Sequence, residues 1–593
     1  MNPDKSAARL LPTRRALRAA LRPSAGRLVL LGVLAVACQS DYDIKGEHIG
    51  SVLSLEVTSP TYGEFMGDSD ITVTGTVYPR QAVLTIEGET VEVSDDGSFS
   101  VSVPVDYAYR IVDIEAHLDS QAERIRLPVF QGHNPADTWP GGMSARLLPS
   151  GLDKLGVQVG AMVDGLGWKE QISAALPSYT SDFLSLTSLG VTSDPTVVLL
   201  EPALGGLDTY FTINNVLVAY QIDIDYWIGT YTGEMSIGFT EVAIGGLMVP
   251  SLDEAGILTL ELTDASLDIS EPDLTLGPLD GTVLEWVMGA LNDYILEPLV
   301  DLLLGVILDQ VGVIEVGGPF DFSTDLFGTS IDISLASVFA DLDGLGALLG
   351  MGIGEPIDLA GLDVPVPGLT TTYGDQSDVA IGVHEGLLQL VIVNTLDELL
   401  GGGFDIGSYA FLLDGPIRAL PGGSEAPEGA AWCLAIDPGT AYVARFVEGT
   451  DRLGAVYMPD FLVDIGIDDG STCNPWLKTS LAMELGLVVE DGTNITFDMS
   501  VREGAVLEYG ASEYDEAEVV NQLGTLLSTM IGLVGGSLSF NLTDLVGGLG
   551  ADTTGGLSLG ELAPTVVGTT KLYNTDGSWN EGLYALCLDL WAD

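Results

Sequence analysis

Serine hydrolysis is the first chemistry that the residue types raise. Gly556-Leu557-Ser558-Leu559-Gly560 has the spacing of a nucleophile elbow, in which a serine on a tight turn is activated by a histidine that follows it in the chain. All four histidines, His48, His117, His133 and His384, precede Ser558. The pattern therefore reads as a glycine-rich loop. His384 stands at the shoulder of an expected helix and reads as a partly exposed helix residue rather than a ligand. Asp464, Asp468 and Asp469 carry the oxygens that calcium takes, yet turn and surface acids are the default in a chain with 85 Asp and Glu against 21 Lys and Arg. No Gly-Lys-Ser/Thr phosphate loop occurs. These readings assign no catalytic residue, no metal and no cofactor, and the chain is expected not to be an enzyme.

Cysteine offers clearer chemistry. Residues 1 to 27 are Arg-rich, Leu28 to Ala37 are apolar, and Leu34-Ala35-Val36-Ala37-Cys38 leads into polar Gln39-Ser40-Asp41. This is the order of a bacterial secretory signal. The small residues before Cys38 resemble a lipoprotein lipobox, with Ala35 where leucine is usual. The resemblance implies a signal peptide over 1–37, Cys38 as the lipidated first residue, and a tether over 38–50. Gln39 in place of an aspartate points by the same resemblance to the outer membrane of a bacterial cell envelope, and Arg14-Arg15 hints at twin-arginine export. The alternative is a plain secretory signal with an incidental cysteine. Cys433, Cys473 and Cys587 allow one disulfide, and the sequence does not choose the pair.

The formal charge is -64. Seven of the 21 basic residues and only Asp4 among the 85 acids precede Cys38, so a chain starting there carries 14 minus 84, or -70. That excess excludes nucleic acid as a partner and repels anionic headgroups. At 593 residues several domains are expected.

The elements follow in order. Short β-rich runs spaced by turn signals from Ser51 to Phe130 predict a small antiparallel sandwich over 51–131. Ser59-Pro60 with Gly63 and the turn Asp96-Gly97-Ser98-Phe99 resemble bacterial Ig-like modules, which implies a spacer or, as a lesser alternative, a carbohydrate-binding unit. Residues 132–141 read as a linker. Ser150 with Asp153 makes a capping-box-like start to a helix carrying Leu152, Leu155, Val159, Met162 and Leu166 on one face. Long alternating strands come next: Val216, Val218, Tyr220, Ile222, Ile224 and Tyr226 face one way, Gln221, Asp223 and Asp225 the other. A phase slip near Thr263-Asp264 predicts a β-bulge. Val283 to Val311 is an almost wholly apolar helix with a thin acidic stripe at Glu285, Asp293, Glu297, Asp301 and Asp309 and an expected kink at Pro298. Those acids disfavour a lipid span, so the helix is expected inside a curved sheet. Residues 354–376 divide the chain. Beyond them the order returns: an amphipathic helix to Leu400, alternating segments at Tyr457 to Ile467 and Leu481 to Val489, and an apolar helix from about Glu516 to Val534. Gly415 to Gly429 reads as a disordered insertion.

A short helix, a meander and a long helix used twice resemble the family of bactericidal/permeability-increasing protein and lipopolysaccharide-binding protein, within the tubular lipid-binding (TULIP) superfamily. Gly142, Arg146, Gly151, Leu152 and Asp153 stand at that family's spacing, and Asp378 to Glu385 looks like the second domain's entry. The resemblance implies an α+β fold: two tandem TULIP-like barrels at 142–353 and 377–593, each a highly curved antiparallel sheet on a long helix, joined by a central sheet through 354–376 and preceded by the Ig-like all-β sandwich. It also implies acyl-chain pockets beside each first helix. Their expected linings are Leu155, Val159 and Met162 facing Val218, Tyr220 and Ile222, and Val383, Leu387, Leu390 and Val391 in the second barrel. Two departures stand out: the family's N-terminal-barrel disulfide and its basic tip are both missing, so affinity for lipopolysaccharide is not carried over. The expected function is non-catalytic binding of phospholipid or another acyl-chain amphiphile, with or without transfer, by a protein held to the membrane through its N-terminal lipid anchor. The alternative is a surface adhesin or structural scaffold with solid barrels.

Overall fold

The computed structural model describes residues 53–67, 70–104, 109–226, 229–253, 256–276, 295–315, 321–326, 329–353, 362, 364–391, 413–437, 439, 441–468, 473–535, 540–541, 563–574 and 578–590. The strands from Ser54 to Phe130 form two sheets, one of three strands and one of five. Both contribute to one apolar core that includes Ile71, Val73, Leu84, Ile114 and Val129. Alternation such as Ile71, Val73, Gly75 and Val77 inward with Thr72, Thr76 and Tyr78 outward gives each sheet one face to bury.

The first half opens with the strand Gly142–Leu147 and helix α1, Pro149–Gly165. Ser150 is not the expected cap. The helix begins one residue earlier, at Pro149, whose missing N–H costs nothing in a first turn. The Ser150 hydroxyl instead donates to Asp378 Oδ1 at 2.8 Å. Helix α2, Trp168–Ala175, follows. An eight-stranded sheet, with strands of 21 residues (Gly206–Tyr226) and 24 residues (Gly229–Leu252), curls around these helices. The expected bulge is present: Gly245 pairs with Ser266 and Leu247 with Thr263, which leaves Asp264 and Ala265 opposite Gly246, with Asp264 at φ 52°.

Helix α3, Glu297–Val311, is the described part of the long apolar helix, and residues 277–294 lie outside the described residues. Pro298 sits in its first turn, directly after a π-helical turn at 295–296, and the segment on the other side of the expected kink lies outside the described residues. Ile295, Leu299, Leu303, Ile307 and Val311 are buried at every fourth residue in the first-half core, while Asp301 and Asp309 are exposed. Among the described residues no helix is long and apolar enough to cross a membrane.

A seven-stranded sheet joins the halves. Its order runs Asp321–Leu326, Thr329–Asp341, Gly344–Gly352, Gly142–Leu147, Val379–His384, Trp579–Asp589 and Thr565–Tyr573. The entry strands of the two halves pair directly, Leu147 with Val379 and Ser144 with Gly382. Each leads into helix: α1 in the first half, and residues 385–391 in the second, with 392–412 outside the described residues. Asp378, fully buried, ties the crossing together by accepting from Ser150, Lys154 Nζ at 2.9 Å and the Leu590 N–H at 3.0 Å.

The second half is a six-stranded sheet built on Arg452–Asp468, Cys473–Glu490 and Asn494–Tyr509, packed on helix α4, Glu516–Gly535. Gly415 to Gly429 is not a disordered insertion. It holds the short helix Asp414–Ala419, and Ile417, Leu420 and Ala426 are buried in the second core while Arg418 bonds Asp414 and the carbonyls of Ala426 and Pro427. Cys433 and Cys473 form the disulfide, and Cys587 is buried as a free thiol.

Candidate functional site

The structure brings the six first-half candidates together. Leu155 and Val159 on α1 and Val218, Tyr220 and Ile222 on the long strand are all buried in one apolar core, and Met162 is half-buried against it. The Tyr220 hydroxyl lies in that core without a hydrogen-bond partner among the described residues. Burial pushes its pKa up to about 12.

The second-half candidates are not gathered into one place. Val383 is buried on the entry strand, and Leu390 is half-buried. Leu387 and Val391 pack with Ile331, Ile333 and Met351 of the central sheet, whereas Leu388 reaches the second core. One residue of helical phase decides this, because successive side chains on a helix point about 100° apart.

His384 is not a partly exposed helix residue. It ends the entry strand, is 3% exposed, and accepts from the Gly386 N–H at Nδ1 at 3.0 Å. Burial, then the nearby Arg445 charge, lowers its pKa to about 4. Among the described residues no group of His, Cys, Asp and Glu is placed to hold a metal. Cys38, Asp469 and Ser558 lie outside the described residues.

The site that sequence reasoning missed lies along α4. A groove of about 580 Å³ runs between that helix and the strand Asn494–Tyr509. Met499, Val501 and Val520 give it an apolar floor, and Ala517, Asn521, Thr525 and Thr529 line it from the helix. Two glycines let the walls approach: a Cβ on Gly504 would sit 2.8 Å from Val520 Cγ1, and one on Gly524 would sit 3.0 Å from Val501 Cγ2. Helix and strand run past each other from Val506 N–H on Glu516 Oε1 (2.8 Å) at one end to Ser528 Oγ on the Met499 carbonyl (3.5 Å) at the other. The only charged lining residues are Arg502 and Glu503, midway along the strand, where Glu503 pairs with outward-facing Ala482 and Arg502 bonds outward-facing Glu484. A signal for it was present in the sequence, since residues 517, 521, 525 and 529 recur every fourth position as small or hydroxyl and amide side chains on a helix that buries Val519, Val520, Leu523 and Leu527.

The N-terminal sandwich covers the outer face of the second-half sheet. Tyr109, Ile111 and Phe130 of the sandwich share a buried cluster with Ala441, Val443, Ala455, Tyr457 and Ala482. Arg126 donates to Ser480 O and Oγ at 2.9 and 2.7 Å, Tyr62 to Asp460 at 2.9 Å, and Arg124 pairs with Glu516 at 3.5 Å. Arg445, ion-paired with buried Glu385, donates to the carbonyls of Gln131 and His133 at 2.8 and 3.2 Å. The linker segment, 132–141, is fastened to the second half, and Pro135–Thr138 forms a helical turn closing on Gly386.

Beneath the sandwich, buried Glu484 accepts from both Arg452 and Arg502. Glu503 has no ion-pair partner among the described residues. Partial burial raises its pKa; Arg126 and Arg110 of the sandwich oppose the shift, and Glu87 and Asp113 add to it.

No protein-family model and no curated protein matches the chain. Solved structures do. The chain is similar to a lipopolysaccharide binding protein, with a TM-score of 0.44 and 14% identity over 78% of this chain and 100% of that one. It is also similar to P47 from Clostridium botulinum A2, with a TM-score of 0.25 and 10% identity over 77% and 98% of the two chains. The solution structure of latherin matches with a TM-score of 0.16 and 14% identity, over 27% of this chain and 84% of that one.

Proposed function

We propose that the protein binds an acyl-chain amphiphile without catalysis, held at a bacterial outer membrane by lipidated Cys38. The observation that carries the reading is the α4 groove: about 580 Å³, with Met499, Val501 and Val520 as its apolar residues and small and hydroxyl-bearing side chains along the helix. Its volume lies within the range of small-molecule sites, roughly 300–1,000 Å³. Each methylene buried there contributes about 0.8 kcal/mol, which suffices for binding without a strong charge contact. The first-half candidates, Leu155, Val159, Met162, Val218, Tyr220 and Ile222, are kept as a second lipid-lining set.

The test is organic extraction of the purified protein followed by lipid mass spectrometry, with Thr525→Trp to fill the groove. Stoichiometric acyl lipid in the parent, lost in the variant, is the expected result. Consistent absence of lipid from the parent would sink the reading.

A scaffold is the second reading, and one observation favours it. Five of the six first-half candidates are buried against one another in a single core, as side chains that fill their own sheet would be. On that reading Thr525→Trp changes nothing in the extract, because nothing is extracted.

A further inference from the structure

Two hairpins from different sheets end side by side, and each carries a leucine where a turn has no use for one. Ala203 pairs with Gly206 and Asp341 with Gly344, so Leu204-Gly205 and Leu342-Asp343 are two-residue turns. Such positions favour Gly, Asn, Asp or Pro, whose backbone geometry or side-chain hydrogen bonds suit a turn. Leu204 is 74% exposed and Leu342 64%, the two most exposed leucines among the described residues. The first hairpin belongs to the curled first-half sheet and the second to the central sheet. The Gly205 N–H donates to the Ala340 carbonyl at 3.1 Å, which fastens one hairpin to the other. Arg146, buried, braces the second turn from within. It donates to both Asp341 carboxylate oxygens at 2.8 and 2.7 Å and pairs with Asp343 at 3.1 Å, while the Asp343 N–H donates to Asp341 at 2.9 Å. Both leucines therefore stand on a fixed base.

Their surroundings limit what can meet them. Behind the first turn, exposed Glu201 stands opposite exposed Asp208. These acids separate Leu204 from the apolar residues further along the same face, Val197, Leu199 and Tyr210. The two leucines alone offer at most about 200 Å² of apolar surface, a quarter of the roughly 800 Å² per partner that a stable protein interface takes. A bilayer needs no matched surface, because an apolar side chain gains simply by leaving water for the acyl region.

We propose that the paired turns are a lipid-surface contact, in which Leu204 and Leu342 enter a bilayer of neutral headgroups while Glu201 and Asp208 stay on the water side. These acids and the chain's large negative charge disfavour an anionic surface. The contact holds the first half against the lipid through the corner where its sheet meets the central sheet. It is separate from Cys38 and from the α4 groove and rests on neither.

The experiment mixes the full chain with phosphatidylcholine vesicles whose acyl chains are plain or brominated, since bromine quenches only those tryptophans that reach it. With the parent's emission subtracted, Leu204→Trp and Leu342→Trp should each shift to shorter wavelength on plain vesicles and be quenched on brominated ones. Val197→Trp, on the same outer face beyond the acids, should do neither. Adding Leu204→Ser to Leu342→Trp should weaken the partitioning about tenfold, the effect of one largely exposed leucine. If either turn tryptophan stays unquenched, or if Val197→Trp is quenched equally, the inference fails and the lipid-binding reading of the groove stands. Sedimentation without vesicles covers the other occupant: an oligomer that Leu204→Ser with Leu342→Ser converts to monomer would mean that the turns meet a second copy of the chain, which also overturns the lipid contact.

Discussion

The two long-stranded sheets differ in what covers their outer faces. In the first half, Val218, Tyr220 and Ile222 point into the core while Gln221, Asp223 and Asp225 face out, where Thr232 donates to Asp223 at 2.6 Å and Thr230 to Asp225 at 2.7 Å. In the second half, Leu481, Met483, Leu485 and Leu487 point into the core, yet their outward neighbours Ser480, Ala482, Glu484 and Gly486 are buried too. The sandwich makes the difference. A sheet with one solvated face can tolerate any polar side chain there, but a sheet covered on both faces needs small residues or matched charges on its second one. Ala455 and Ala482 meet the first need, and Glu484 with Arg452 and Arg502 meets the second.

The same charge placed on the outer face of each sheet should have the most unequal effect. Ala482→Asp puts an unpaired carboxylate under the sandwich and should cost about 4 kcal/mol. Ala219→Asp, on the half-exposed outer face of the first-half sheet, should stay within roughly 0.5 kcal/mol. Chemical denaturation of the two variants measures both, and equal effects would mean that the sandwich does not cover the second sheet in solution.

Acid should separate the halves next. His384 is neutral and buried, with its pKa lowered from 6.5 to about 4. The unfolded chain therefore takes up a proton that the folded chain refuses. The stabilisation is fully present above pH 6.5 and is lost as pH falls towards 4, by about 3 kcal/mol in all. His384→Asn should flatten that part of the stability profile, as followed by thermal melting between these pH values. An unchanged slope would show that His384 is solvated.

The smallest expected effect belongs to the first core. Tyr220→Phe removes a buried hydroxyl that has no partner among the described residues, and the empty protein should gain about 1 kcal/mol. A loss in place of that gain would show that the hydroxyl is satisfied in solution.

Much of the first half was legible in the sequence because its sheet has one wet face. Alternation from Val216 to Asp225 sorts the side chains correctly, the bulge at Asp264 shows as a slip of phase, and Asp301 and Asp309 mark the solvent side of α3. In the second half the same alternation does not distinguish a wet face from a covered one. Ser480 and Glu484 look like a wet face, and what buries them is a module more than 300 residues earlier in the chain, whose docking leaves no local periodicity. Ser150 failed as a cap for a similar reason, since its partner is Asp378. The α4 groove needs both Gly504 and Gly524 to be placed against opposite walls, a relation that spacing along one helix does not express.

The central sheet has a consequence for how the chain reaches this state. The entry strand Gly142–Leu147 pairs with Val379–His384, which in turn pairs with Trp579–Asp589. A ribosome releases these three strands hundreds of residues apart, and the middle one gains its second neighbour only when the last is made. Closing such distant registers is slow. Until then each nascent half presents an open strand edge that neighbouring chains can join, so assembly should be limited by the arrival of that final strand.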